Sequence, residues 1–332
     1  GSVYRITHPA TTHRSTDRRE TPMRVCLRMP QPLSSWSRSK WLPMARKLGA
    51  AAIHNVIGDR GYSVSERVRA VEILVDLFGG PEFSKLSTGM GGFPAAVRAR
   101  LAWAVGRVEP VQPDAKLLSG FLVDGDEDGG AGVGRAACEA MLGVEGGWDW
   151  SSVQGGLLNQ LESRDRRTRQ VAARVVARMP EAAWRRIRSL VARRRPRARV
   201  AAAWGGRAHV EGVDRDGLAV ALEVLSAKRS ESDVVGLKLE AARLAELALG
   251  DVGPAKGRAA VFDGYAALLP AAALSPVSGE VSRVVDAVFP SADPELDIEL
   301  ARLAAMVSSA RPQLLSKFLA RLDQGFHPVS DL

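Results

Sequence analysis

The chain has 332 residues, 46% hydrophobic but only 5% aromatic, and a formal charge of +9 from 46 Lys and Arg against 37 Asp and Glu. It holds no run of about 18 uncharged apolar residues, which excludes a membrane-spanning helix, and almost no strand-like alternation, which argues against all-β and dinucleotide-binding folds. Its two cysteines, Cys26 and Cys138, stand in no ligand spacing, so neither a disulfide framework nor a cysteine-based metal site is expected.

Residues 1–37 read as an extended connector rich in Pro, Thr, Ser and Arg, packed along the first helices through Val25, Leu27 and Leu33. No secretory signal opens the chain, which reads as a piece of a longer protein. From residue 38 to 332 helices are expected in succession. The first runs from Trp41 to Ile57 with Pro43 in its opening turn. Ser63-Val64-Ser65-Glu66 has capping-box spacing and starts a helix that stops at Gly79-Gly80. Pro94 opens the next, and Pro113–Val123 comes after it, ended by the acidic loop Asp124–Asp128. Helices are then predicted over 132–142, 151–161, 165–179, 181–192 and 196–204, the last ended by Gly205 and Gly206. The remainder covers 214–227, 233–249, 259–269, 278–288, 294–307 and 312–322.

One apolar stripe keeps returning along these helices. Val97, Leu101, Ala104, Val105 and Val108 lie at i, i+4, i+7, i+8 and i+11, one face of a helix. The same template recurs at Val133, Ala137, Ala140, Met141 and Val144, and at Thr168, Ala172, Val175, Val176 and Met179. Later copies begin at Leu237 and Leu296, and a weaker early one is Val64, Val68, Val71, Glu72, Val75. The first four copies sit roughly 33 to 36 residues apart, the length of a two-helix repeat that must stack to bury its stripe. The expected fold is all-α: a right-handed α-solenoid of about six or seven stacked helix pairs.

Catalysis has little support. His8, His13, His54, His209 and His327 are scattered, without paired-ligand spacing, and His54 reads as a packed or cap-bonded ring. The Gly-rich stretches at 89–92 and 143–147 lack the strand and lysine of a phosphate loop and read as connections between helices. No nucleophile elbow occurs. No cofactor and no metal is expected, and the chain reads as non-enzymatic. Trp148 and Trp150 read as core packing.

The charge is concentrated: fourteen arginines fall between Arg164 and Arg199. Arg164, Arg167, Arg174, Arg178, Arg185 and Arg188 are placed to share one exposed side of two successive helices, with Trp184 and Trp204 near enough to stack. Arg186, Arg193, Arg194 and Arg195 extend this candidate surface. Such a patch suits an acidic protein, an anionic membrane surface or nucleic acid. The plain alternative is solvated helix faces in an arginine-preferring chain.

The run from Val97 to Val108 resembles the second helix of HEAT-like repeats, with Pro94 and Arg98 in the family's usual places and Arg135 and Arg169 matching in later copies. The Trp-Leu-Gly-Tyr-Ala-Phe-Pro series of tetratricopeptide repeats is not found. Ser2–Ile6, residues 297–303, 311–322 and 327–332 resemble parts of planctomycete-type exported proteins that join a β-propeller to a HEAT-like solenoid, some of them membrane-coat-like and some carrying a haem domain. That resemblance implies a non-catalytic scaffold module following a propeller of the same chain, binding protein partners or an anionic membrane, at a periplasmic or membrane-associated site. Two other roles stay open: a HEAT-like nucleic-acid-binding module, as in glycosylases of that fold, and a spacer of a haem-containing periplasmic dehydrogenase.

Overall fold

The structure, a computed structural model, describes residues 21–86, 89–108, 115–123, 130–144, 148–227, 234–250, 269–309 and 311–322. Among these residues every regular element is a helix. The chain divides into two compact units, Gly1–Gly91 and Gly92–Leu332.

The first unit contains α1 (Pro22–Arg28), α2 (Ser35–Gly58), α3 (Val64–Phe78) and α4 (Phe83–Leu86), with α1, α2 and α3 packed on one another. Residues 22–28 are therefore helical rather than the expected extended connector. The Thr21 hydroxyl accepts from the Arg24 N–H at 3.4 Å, Pro22 fits the first turn, and Cys26 and Leu27 are buried. Leu33, expected as an anchor, is 80% exposed. Because α2 starts at Ser35, Pro43 lies inside it rather than in its opening turn. The helix is broken at Gly49, whose φ of +79° suits glycine alone. Trp41 is fully buried, donates to the Pro32 carbonyl at 2.9 Å and has the Arg69 guanidinium 4.6 Å from its ring centroid. His54 is packed, its Nε2 3.2 Å from the Glu82 carbonyl.

The capping box at the start of α3 is present: Ser63 Oγ accepts from Glu66 N at 3.3 Å, and Glu66 Oε2 accepts from Ser63 N at 2.7 Å. Gly79 closes α3 in the left-handed conformation at φ +77°. The buried face of α3 is Ala70, Val71, Ile73 and Leu74, while Val64 is 42% exposed. The buried stripe of α3 thus differs in register from the expected valine stripe, because Ile73 and Leu74 bring more apolar area to the core than the valines do. Burial alone raises the Glu66 carboxyl, but bonds from the Ser63 N–H, from Arg28 Nε at 2.7 Å and from the Ser63 side chain together hold it below its ordinary value of 4.5. The fold therefore favours the carboxylate. Its contribution is complete above that ordinary value and is lost as pH falls through the lower folded one. Amide exchange in α3 is expected to accelerate over that acid interval, and Glu66→Gln is expected to flatten the dependence. An unchanged acid profile in Glu66→Gln contradicts the assignment.

The second unit holds α5 (Ala95–Val105), α6 (Ala115–Leu122), α7 (Gly130–Gly143), α8 (Trp150–Leu161), α9 (Arg166–Ala177) and α10 (Glu181–Val191). It continues through α11 (Pro196–Gly206), α12 (Arg215–Ser226), α13 (Val234–Ala248), α14 (Ala271–Val288), α15 (Pro294–Met306) and α16 (Pro312–Leu322). Packing partners alternate. α5 packs on α7, α7 on α9, α9 on α11, α11 on α13 and α13 on α15. Among the even-numbered helices α6 packs on α8, α8 on α10, α12 on α14 and α14 on α16.

The recurring stripes lie at these contacts: Val97, Leu101, Val133, Ala137, Ala172, Val176, Ala241, Leu244, Leu300 and Leu303 are all buried. Side chains also tie helices to their next-but-one neighbours. Gln160 Nε2 of α8 donates to the Leu122 carbonyl of α6 at 2.7 Å, and Arg178, just past α9, donates to the Leu142 carbonyl of α7 at the same distance. Both reach carbonyls at helix C-terminal ends, where the helix itself has no donor left to offer. Trp148 is buried and donates to the Met141 carbonyl at 3.3 Å, while Trp150 is half-buried. The loop Asp124–Asp128, the helix expected over 259–269 except for Leu269, and the segments 2–6 and 327–332 lie outside the described residues.

Candidate functional site

The arginine-rich stretch folds as α9, α10 and α11. Asp165 starts α9 by accepting from Thr168 N at 3.0 Å and Arg167 N at 3.4 Å. Pro180 precedes α10, and Pro196 occupies the first turn of α11. The glycines expected to end α11 are its last buried turn instead. A Cβ on Gly205 would stand 2.2 Å from the Ala173 carbonyl oxygen, and one on Gly206 would stand 2.3 Å from the Trp184 ring. These glycines let α11 approach α9 and the α10 tryptophan more closely than any side chain permits. With Ala198, Ala201 and Ala202 also buried, α11 is the slimmest helix of its neighbourhood.

Four of the ten arginines of the expected surface pair with carboxylates. Arg188 meets Asp216, Arg185 meets Glu181 at 3.2 Å, and Glu162 takes Arg194 at 3.3 Å and Arg195 at 3.1 Å. Arg199 makes two bonds to Glu223 at 2.7 and 2.6 Å, and this guanidinium holds the Glu223 carboxyl below its usual range. Arg164 is exposed, and its carbonyl accepts from Arg169 at 2.9 Å. Arg167, Arg174, Arg186 and Arg193 are exposed and have no ion-pair partner among the described residues.

Trp184 is no stacking platform. It is 7% exposed and stacks on His209 with ring centroids 5.7 Å apart and planes 15° apart. His209 in turn has its Nε2 3.0 Å from the Val176 carbonyl. Trp204 keeps a partly open indole, 36% exposed, whose N–H donates to the Glu240 carbonyl at 3.3 Å.

Of the surface expected from the sequence, Trp184 and Arg188 line one cleft and Arg174 lines another. One, of about 280 Å³, lies between α10, α11 and α12 and is lined by Trp184, Arg188, Arg199, Asp216 and Glu223. The other, of about 370 Å³, lies between α9, α11 and α13 and is lined by Arg166, Gln170, Arg174, Trp204, Glu240 and Arg243, among others. At its centre Arg169 and Glu240 meet at 2.6 Å across the slim α11, with 7% and 12% of their side chains exposed. Arg166 approaches the same carboxylate at 3.4 Å, and Arg243 pairs with Glu299 at 2.8 Å.

Arg166, Gln170, Glu240 and Arg243 are members of this cleft that sequence reasoning missed. The available signal was the separation of Arg169 and Glu240 by 71 residues, close to two repeat lengths. No group of three or more metal-ligating side chains occurs among the described residues. Burial pushes the Cys138 thiol up, and both Cys26 and Cys138 are buried and free. No helix among the described residues is long and apolar enough to cross a membrane. No family model, curated protein or solved structure matches the chain.

Proposed function

We propose that the second unit is an α-solenoid of stacked, HEAT-like helix hairpins, right-handed as the repeat pattern implies. It serves as a non-catalytic scaffold module of a larger protein and offers its arginine-bearing middle to acidic protein partners. The observation that carries this reading is the alternation of packing partners, in which each odd-numbered helix from α5 to α15 rests on the next odd-numbered one. A stack of that kind presents long outer faces at modest stability per repeat.

The charge pattern favours a protein over a duplex. A duplex is held by a continuous stripe of unpaired cations matched to its phosphates. Here Arg167, Arg174, Arg178, Arg186 and Arg193, which have no ion-pair partner among the described residues, are interspersed with Glu162, Glu181, Asp216, Glu223 and Glu240, each already engaged by another arginine. Such interleaving matches a partner surface of mixed sign rather than a uniform polyanion.

The test is binding of labelled polyglutamate, duplex DNA and phosphatidylserine vesicles at matched charge over a salt series. The expected result is that polyglutamate binds best and that changing Arg167, Arg174, Arg186 and Arg193 together to Ala weakens it at least tenfold. Tighter binding to duplex or vesicle, or indifference to the fourfold change, contradicts the reading.

A further inference from the structure

We propose that the cleft over α11, walled by α9 and α13, is a binding site for a short acidic peptide segment of a partner protein. This deepens the scaffold reading and rests on it. The cleft is lined by four guanidinium groups, Arg166, Arg169, Arg174 and Arg243, against the single carboxylate of Glu240. Two of the four are committed. Arg169 gives Nη2 to Glu240 at 2.6 Å and Nη1 to the Ser163 and Arg164 carbonyls at 2.8 and 2.9 Å, and Arg243 is engaged by Glu299. The uncommitted charge is on the α9 wall. Arg174 has no partner among the described residues, and Arg166, with 49% of its side chain exposed, reaches Glu240 only at 3.4 Å. Moreover, Nε of Arg169, a residue of the cleft lining, is buried without a hydrogen-bond partner among the described residues.

Beneath this charge the floor is apolar and small, formed by Ala173, Ala177, Ala201 and Gly205. At its side stands the Trp204 indole, held in place by its bond to the Glu240 carbonyl. The combination specifies the occupant. Arg174 and Gln170, one helical turn apart on α9, together offer donors to one carboxylate. Arg166, two turns from Arg174 and about 12 Å away, receives a second. An extended peptide places side chains four residues apart at about 13 Å, which fits that spacing. Between them an apolar side chain rests on the alanine floor and the indole face. The volume of about 370 Å³ accommodates side chains and small groups.

The probe is a fluorescein-labelled peptide with two glutamates four residues apart and leucines between them, read by anisotropy against its glutamine counterpart. Arg174→Glu is expected to weaken binding at least tenfold and Trp204→Ala several-fold. Arg283→Glu, an equal charge change on the exposed side of α14, is expected to leave binding within twofold, and circular dichroism confirms that each variant is folded. The glutamine peptide is expected to bind at least tenfold more weakly than the glutamate one.

Equal weakening by Arg174→Glu and Arg283→Glu overturns the cleft while leaving a basic scaffold surface intact. Absence of saturable binding at millimolar peptide, with polyglutamate still bound, does the same. Displacement of the peptide by duplex DNA or phosphatidylserine vesicles at lower charge concentration overturns the peptide as occupant and the scaffold reading with it.

Discussion

Glu240→Gln is expected to destabilise the second unit by about 3 kcal/mol, the scale found when one partner of a buried ion pair is removed. The cause lies with Arg169 rather than with the glutamate. Its guanidinium is 7% exposed, and among the described residues its charge is balanced by Glu240 at 2.6 Å. The two carbonyl acceptors at 2.8 and 2.9 Å remain after the change, which keeps the loss below the upper end of that range. Arg166, the second neighbour of Glu240, is half exposed and readily resolvated, so it adds little. The double change Arg169→Met with Glu240→Leu removes both charges and is expected to recover most of the loss. Urea unfolding of the single and double variants measures this. A loss below about 0.5 kcal/mol in Glu240→Gln contradicts the view that this pair ties α9 to α13.

Gly205→Ala is expected to cost about 2 kcal/mol, although alanine is the better helix former. Two effects oppose one another at this position. Alanine gains about 1 kcal/mol of helix propensity over glycine. Against that, the new methyl would lie 2.2 Å from the Ala173 carbonyl oxygen and 2.6 Å from the Val176 Cβ. Neither neighbour can swing aside, since one is backbone and the other is the branch point of a buried side chain, so α11 must separate from α9. Overpacking of this kind costs about 1–3 kcal/mol and exceeds the propensity gain where backbone must move. Gly155→Ala in α8 is the matched contrast, because a Cβ there meets nothing within 4 Å and only the favourable effect remains. Thermal unfolding is expected to shift down for the first and slightly up for the second. A shift in the same direction for both contradicts the close approach of α11 to α9.

The stripes at 97–108, 133–144 and 168–179 are legible because large aliphatic residues recur at helical spacing, and they mark α5, α7 and α9. The copies at Leu237 and Leu296 mark α13 and α15 for the same reason. Between them the stripe is missing at α11, where a single valine, Val200, stands among Ala198, Ala201, Ala202, Gly205 and Gly206 on the buried face. Small residues carry almost no hydropathy signal, yet here they define the cleft. The same smallness makes the terminal glycines read as a stop, although the structure uses them for contact. Residues 22–28 escape notice because a helix of seven residues holds too few apolar positions to show a period. Composition reveals the arginines. It does not reveal that Arg188 and Arg199 line one cleft while Arg166, Arg169 and Arg174 line another, which depends on which face of the slim helix each neighbour meets. Trp184 reads as a surface residue from its basic surroundings in sequence, whereas its partner His209 is brought to it only by the turn after α11.

Regional amide exchange in the Gly205→Ala protein is the most direct measurement of whether the second unit is built by adding neighbour to neighbour. A lesion in such a stack should release protection most in α9, α11 and α13 and progressively less toward α5 at one end and α15 at the other. An equal loss of protection across α5–α16 would show a single cooperative bundle and contradict the account.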